Sequence, residues 1–228
     1  MARMARLYLP NTAQLVTVRG INNAPVFFSD KDYEQWQSVV RTIAPVHLLN
    51  IHAFALVEHA VYLLVTAEDE QALGRFMQDL GRRYVRYVNG KYGRTGTLWE
   101  GRYRTAYIQD MPHVVNAYRW LDAMSGYSSR MHHTGLQLQG FIQDHVQYWG
   151  LGNTPFDRQY AFKQLLNEGL PEATINALEH AVNTGWALGD KNFLNQALRI
   201  GGRRVAPAAR GRPRKTPLKG NNEQGALK

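Results

Sequence analysis

The stretch VHLLNIHAFALVEHAVYLLV, Val46 to Val65, holds two apolar, β-prone runs with a short acid-containing join at Val57–Glu58. Runs of this length and composition, separated by so little polar chain, predict two buried strands folded back as a hairpin. The rest of the fold is read outward from that hairpin. Upstream, QLVTVRG (Gln14–Gly20) predicts a further strand, closed by a turn within GINNAP. From Ser29, SDKDYEQWQSVVRTI offers an N-cap, acids in the first turn and apolar residues at Tyr33, Trp36, Val39, Val40 and Ile43. That spacing predicts a helix, with Pro45 helping to stop it.

Downstream, DEQALGRFMQDLGRRYVRYVNGKY predicts a long helix with Leu73, Phe76, Met77, Leu80, Tyr84 and Val88 inward and Arg82, Arg83 and Arg86 outward. The glycines of NGKYGRTGTLWEGRYRTAY predict a loop leading to a strand over Tyr103–Ile108, and a helix from Pro112 to about Met124 follows. The order β-α-β-β-α-β-α predicts an α+β protein: a small antiparallel sheet flanked by helices, in ferredoxin-like layers. It does not fit the alternation of a doubly wound parallel sheet. Three short amphipathic helices with glycine stops come next, in FDRQYAFKQLLNEG, LPEATINALEHAVNTG and GDKNFLNQALRIGG, with no further strand signal. The expected organisation is a body over residues 1–135, an accessory helical segment over 136–202 and a basic tail over 203–228, disordered when free.

Charge points to a partner. Of the net +9, residues 201–228 supply eight basic side chains (Arg203, Arg204, Arg210, Arg212, Arg214, Lys215, Lys219, Lys228) against Glu223 alone, so the tail carries +7 and the body +2. Such asymmetry suits a polyanion, nucleic acid first among them, although a merely solubilising end has the same composition. The chain has no cysteine, which excludes disulfides, thiolate zinc sites and cysteine nucleophiles and fits a cytoplasmic setting. The opening MARMARLYLPNTAQ does not read as a signal peptide, and no run approaches the roughly 20 apolar residues of a membrane span, so no membrane partner is expected.

Six stretches, in order, carry a resemblance: RLYLPN, RGINNAPVFFSDKDY, LGRRYVRYVNGKYGRTGTLWEGRYR, HVQYWGLGNTPFDRQYAF, TGWALGDKNF and GRRVAPAARGRPRK. From about Arg6 to Lys215 the chain resembles the REP-associated tyrosine transposases, relatives of the small single-tyrosine HUH transposases. The resemblance implies a sheet flanked by helices, recognition of DNA hairpins or single-stranded DNA, and strand cleavage through a covalent phosphotyrosine. That chemistry uses a divalent metal, magnesium or manganese, to polarise the scissile phosphate. Family members carry two histidines either side of one apolar residue on a central strand, where i and i+2 side chains share a face and grip one ion.

Laid without gaps, the family pattern falls on Ala53 to Ala67 and puts Ala60 and Tyr62 where the histidines belong. A methyl has no ligand atom, and a neutral phenol is a poor one. His59 is one position away, which turns it to the other face; it reads as a polar hairpin residue. In the place of the nucleophilic tyrosine stands Trp120, within YRWLDAM, and the Asn-Pro segment that follows in the family is missing. The nearest remaining phenols are Tyr118 and Tyr127, the latter two helical turns beyond Trp120 if the helix continues; both also fit simple packing. The resemblance with these departures implies a degenerate member: a DNA-binding protein without nuclease activity and without a bound metal. Two alternatives are an active single-strand endonuclease using Tyr118 or Tyr127 with magnesium or manganese, and a structured-RNA binder.

The stretch from Leu80 to Tyr107 interleaves Arg82, Arg83, Arg86, Lys91, Arg94, Arg102 and Arg104 with Tyr84, Tyr87, Tyr92, Trp99 and Tyr103. Cations there neutralise phosphates while rings stack on unpaired bases, the usual nucleic-acid footprint. Trp99 also suits the core. In the tail, RGRPRK (Arg210, Arg212, Arg214 and Lys215 among its residues) resembles an AT-hook, whose extended Gly-Arg-Pro core lies in the narrow minor groove of A·T-rich duplex. The expected setting is the cytoplasm, associated with the nucleoid. Family relatives occur as monomers and dimers, which leaves a homodimer open.

Overall fold

The hairpin forms as β2 (Leu49–Val57) and β3 (Ala60–Ala67), joined by a tight turn at Glu58 and His59. This computed structural model describes residues 7–124, 126–202 and 204–207. β1 (Gln14–Arg19) lies antiparallel beside β3, β4 (Arg104–Tyr107) lies antiparallel beside β1, and a two-residue β5 (Tyr127–Ser128) pairs with the outer edge of β2. The order is β4-β1-β3-β2-β5, antiparallel throughout, so the expected α+β fold is present. β5 was not expected: no strand was read beyond the body helix. Two residues are too few to leave a period-2 pattern in the sequence.

Alternation along β3 divides the core in two. Val61, Leu63 and Val65 face α1 (Asp30–Ile43) and α2 (Ala72–Tyr92), whose Trp36, Val40, Phe76, Leu80, Tyr84 and Val88 fill that side. Ala60, Tyr62 and Leu64 face the other side, covered by α3 (Val115–Met124) and by the helices that follow. One irregularity interrupts β2. Ile51 pairs with Val65 and Ala53 with the adjacent Leu64, so His52 is the extra residue of a β-bulge. Its ring is fixed by Gln143 O at 2.6 Å from Nδ1 and Thr66 Oγ1 at 2.8 Å from Nε2. Burial pulls its pKa down to about 4, so the neutral ring donates from one nitrogen and accepts at the other.

The helix expected from Pro112 takes regular form only at Val115, after a wider turn over Asp110–Val114. It ends at Met124 and does not continue to Tyr127, which lies on β5 instead. Short helices α4 (Arg130–His133) and α5 (Val146–Trp149) precede the three longer ones, α6 (Pro155–Glu168), α7 (Glu172–Thr184) and α8 (Lys191–Gly201). Caps set their starts: Thr154 Oγ1 accepts the Asp157 N–H before α6, and Asp190 accepts the Phe193 N–H before α8. Phe162 of α6 and Leu178 and Val182 of α7 join Leu15, Leu64, Tyr118 and Leu121 in one core. α6 and α7 therefore help close the second face of the sheet, whereas Phe141 and Ile142 join the first-face core and α8 packs through Ala197 against Leu7, Leu9 and Tyr107.

Among the described residues, no helix is long and apolar enough to cross a membrane.

Candidate nucleic-acid interface

Arg82, Arg83 and Arg86 project from the outer face of α2, all exposed, while Tyr84 and Val88 between them are fully buried. Arg83 is engaged locally, its Nε 2.7 Å from Asp79 Oδ1. α2 ends at Gly93, whose φ of 61° is the left-handed conformation that glycine adopts without a Cβ penalty. The chain then turns into the loop carrying Arg94, whose guanidinium lies 5.6 Å from the centre of the Phe28 ring. Arg102 and Arg104 are exposed at the far end of that loop. α2 and the segment that follows it thus carry Arg82, Arg86, Arg94, Arg102 and Arg104, of which Arg104, register partner of Thr17, turns to the second face of the sheet and donates from Nη1 to Asn183 O of α7. Arg210, Arg212, Arg214 and Lys215 lie outside the described residues.

A single buried carboxylate orders this region. Asp32, in the first turn of α1, is fully buried and accepts five hydrogen bonds. Oδ1 takes Lys91 Nζ at 2.6 Å and Tyr87 OH at 2.9 Å; Oδ2 takes the Phe28 and Ser29 N–H groups and Tyr92 OH, each within 2.9 Å. Burial alone would raise its pKa, but bonds from Lys91, Tyr92, the Phe28 amide and Tyr87 outweigh it and hold the carboxyl at about 2. Three of those partners belong to the last turns of α2, so the acid ties the start of α1 to the place where the basic loop begins.

Trp99 is half-buried. It bridges Gly20 and packs 6.1 Å, centre to centre, from Tyr84. Gly20 is required by crowding: a Cβ there would meet Ala24 O at 2.0 Å. Beside Trp99 opens a cavity of about 710 Å³ between α2 and the 99–103 segment, with Trp36, Trp99, Tyr103, Arg75, Gln78 and Arg102 in its walls. The ring of Trp99 therefore serves both as packing and as cavity wall.

The positions that the resemblance assigns to catalysis meet on the second face of the sheet. Tyr62 of β3 and Trp120 of α3 touch edge to face, ring centres 5.6 Å apart, and Ala60 lies one pleat from Tyr62 on the same side. His59 sits in the hairpin turn. The space is closed by Arg19 of β1, register partner of Ala60, whose Nη2 lies 3.5 Å from Tyr62 OH and 2.8 Å from Asn183 Oδ1 of α7. A methyl, a phenol, an indole and a guanidinium do not fit a divalent cation: none supplies a strong ligand, and the guanidinium already places positive charge there. Tyr118 is fully buried, its oxygen accepting the His145 N–H at 2.9 Å. Tyr127 lies on the opposite face, stacked on Tyr33 with ring centres 3.8 Å apart and donating to Asp30. Neither phenol is brought to the Tyr62–Trp120 contact, except that Tyr118 shares its core.

Sequence reasoning missed a polar cluster behind that core. Asp122 accepts from Ser129 Oγ and from His133 Nδ1 (2.6 Å), and His133 Nε2 faces His52 O at 3.0 Å. His132, His133 and Asp144 come close enough to share an ion. His132 Nδ1 accepts the Gln139 N–H and both His133 nitrogens face acceptors, which leaves His132 Nε2 and the buried Asp144 Oδ1, 3.4 Å apart, as the remaining ligand atoms of the group. The only forewarning was the density of histidines in SRMHHTG, which names no partners.

No protein-family model matches the sequence, and no curated protein does. Among solved structures the chain is similar to a REP-associated tyrosine transposase bound to a REP hairpin, at 10% identity and a TM-score of 0.50, covering 63% of this chain and 93% of that one. It also matches a Deinococcus radiodurans protein assigned as a transposase, at 18% identity and a TM-score of 0.38, over 50% of this chain and 89% of that one. The first of these likenesses shows a shared fold.

Proposed function

We propose that this protein binds DNA hairpins or single-stranded DNA, in the manner of a REP-associated transposase, without cutting the strand. The observation that carries the reading is the closed contact of Tyr62 and Trp120, the side chains standing where the resemblance places a metal ligand and the nucleophile. Two positions 58 residues apart in sequence meet in space, as the parts of one site must, yet they meet as packed rings with Arg19 against them. Opposed to this filled site, the arginines of α2 and of the following loop stay exposed for phosphates, beside a cavity with aromatic walls. The solved neighbour, held with its hairpin, supports the choice of ligand. The basic tail adds a second, A·T-rich duplex contact under the same reading.

The test is an end-labelled DNA hairpin with a single-stranded flank, incubated with the full chain and magnesium or manganese. Binding without cleavage and without a covalent adduct is expected. A covalent protein–DNA adduct lost on Tyr118→Phe or Tyr127→Phe would establish the endonuclease reading instead. Preference for an RNA hairpin of the same sequence in direct competition would replace DNA by structured RNA.

A further inference from the structure

We propose that the hollow at the open end of β1, bounded by Thr17, Arg19, Arg102 and Arg104, is a phosphate site that takes one phosphodiester of the bound strand. The inference rests on the DNA-binding reading and names where the strand is held. β1 and β4 pair Thr17 with Arg104, and the pleat puts Thr17 and Arg19 on one face. Arg102 lines the same hollow, with Glu100 as the one acid against three guanidinium groups.

Two donors there lack partners. Thr17 is 2% exposed, and neither its Oγ1 nor the buried Nε of Arg19 has a hydrogen-bond partner. Buried polar groups in folded proteins are almost always satisfied, so the unpaired Thr17 hydroxyl and Arg19 Nε–H, two residues apart on one face of β1 and both from residues that line the hollow, call for an acceptor. The known bonds of these arginines leave donors over. Arg19 gives Nη2 to Asn183 and Tyr62, and Arg104 gives Nη1 to Asn183 O. The cavity measures about 10 Å³, room for about one oxygen atom. A base does not fit. One non-bridging phosphate oxygen does, with the rest of the phosphate outside against the exposed Arg102 and Arg104.

The location gives the site its meaning. Arg19 lies across from Ala60 and against Tyr62, so a fixed guanidinium stands where the resemblance places a metal ion. Both attract a phosphate, but a guanidinium cannot polarise it as a divalent cation does or activate a nucleophile bound to itself. The strand is gripped at the place where a cutting relative would act on it.

Two measurements on the full chain test this. Arginine Nε–H resonances, with Arg19 assigned through Arg19→Lys, are followed while inorganic phosphate and, separately, a DNA hairpin with a single-stranded flank are added. Thr17→Val removes the orphan hydroxyl at nearly constant shape, so the fold survives even if Arg19→Lys loosens α7. Expected are a shift of the Arg19 signal with both ligands, a loss of the phosphate response in Thr17→Val, and about tenfold weaker hairpin binding by that variant at unchanged melting temperature. If phosphate moves Arg19 but the hairpin does not bind, the anion site stands and the DNA reading fails. If the hairpin binds normally while Arg19 stays still and Thr17→Val is neutral, the hollow holds only water and the proposal is overturned. If neither ligand acts, both are wrong.

Discussion

Replacing Asp32 by asparagine tests how the basic loop is held. The amide fits in only one sense. With its NH2 on the Oδ2 side it would confront the Phe28 and Ser29 N–H groups, donors fixed by the backbone. With NH2 on the Oδ1 side it faces Tyr87, whose hydroxyl can rotate to accept, and Lys91, which cannot. The loss is then one charge-assisted bond and the counter-charge of an ammonium 2.6 Å away. Removing one member of a fully buried ion pair costs about 3–5 kcal/mol. Lys91 keeps 30% of its side chain in solvent and can turn to water, so the expected cost is about 2–4 kcal/mol. Urea unfolding followed by circular dichroism should show the midpoint falling at unchanged slope. Hairpin affinity, measured where the variant is still folded, should fall as well, because Tyr87, Lys91 and Tyr92 fix the turn from which Arg94 departs. A stability change below about 0.5 kcal/mol would refute the claim that this carboxylate organises the region.

Other consequences are open to measurement. The depressed Asp32 pKa contributes stability that is complete above the unfolded value near 4 and lost as pH falls toward about 2; the wild type should lose at most about 2 kcal/mol over that window, and Asp32→Asn should not show this component. Arg94→Ala and Arg102→Ala should each weaken hairpin binding by about 1–3 kcal/mol with melting unchanged; two folded variants that bind like the parent would remove this loop from the interface. Calorimetry with manganese should detect no one-to-one site in the body, and a tight site abolished by His59→Ala would overturn that expectation.

The sequence made the hairpin, α1 and α2 legible because each is long enough for its period to repeat: Trp36, Val40 and Ile43 on α1, and Phe76, Leu80, Tyr84 and Val88 on α2, all lie where the spacing put them. That β3 is buried on both faces agrees with its unbroken apolar run, which named no face for any one residue. What stayed hidden depends on contacts between distant segments. The bulge at His52 is anchored by Gln143 and Thr66, 91 and 14 residues away. Asp32 reads as an ordinary first-turn acid until Lys91 and two tyrosines converge on it. The arginines of α2 were legible as a basic face, whereas the orphan donors of Thr17 and Arg19 exist only once β4 and α7 are in place.

The division of the sheet into two faces also has a consequence for how the chain is made. The last residues of the α1/α2 side, Phe141 and Ile142, are synthesised well before α7, which covers Arg19 and the Tyr62–Trp120 contact on the other side and is complete only at Thr184. At about 5–20 residues per second, the 42 residues from Ile142 to Thr184 take roughly 2–8 s to synthesise. During that interval Leu15, Tyr62, Leu64 and Trp120 form an apolar surface without its final cover, next to arginines without Asn183. The nascent protein is for that time both adhesive and basic on the face that α7 later covers.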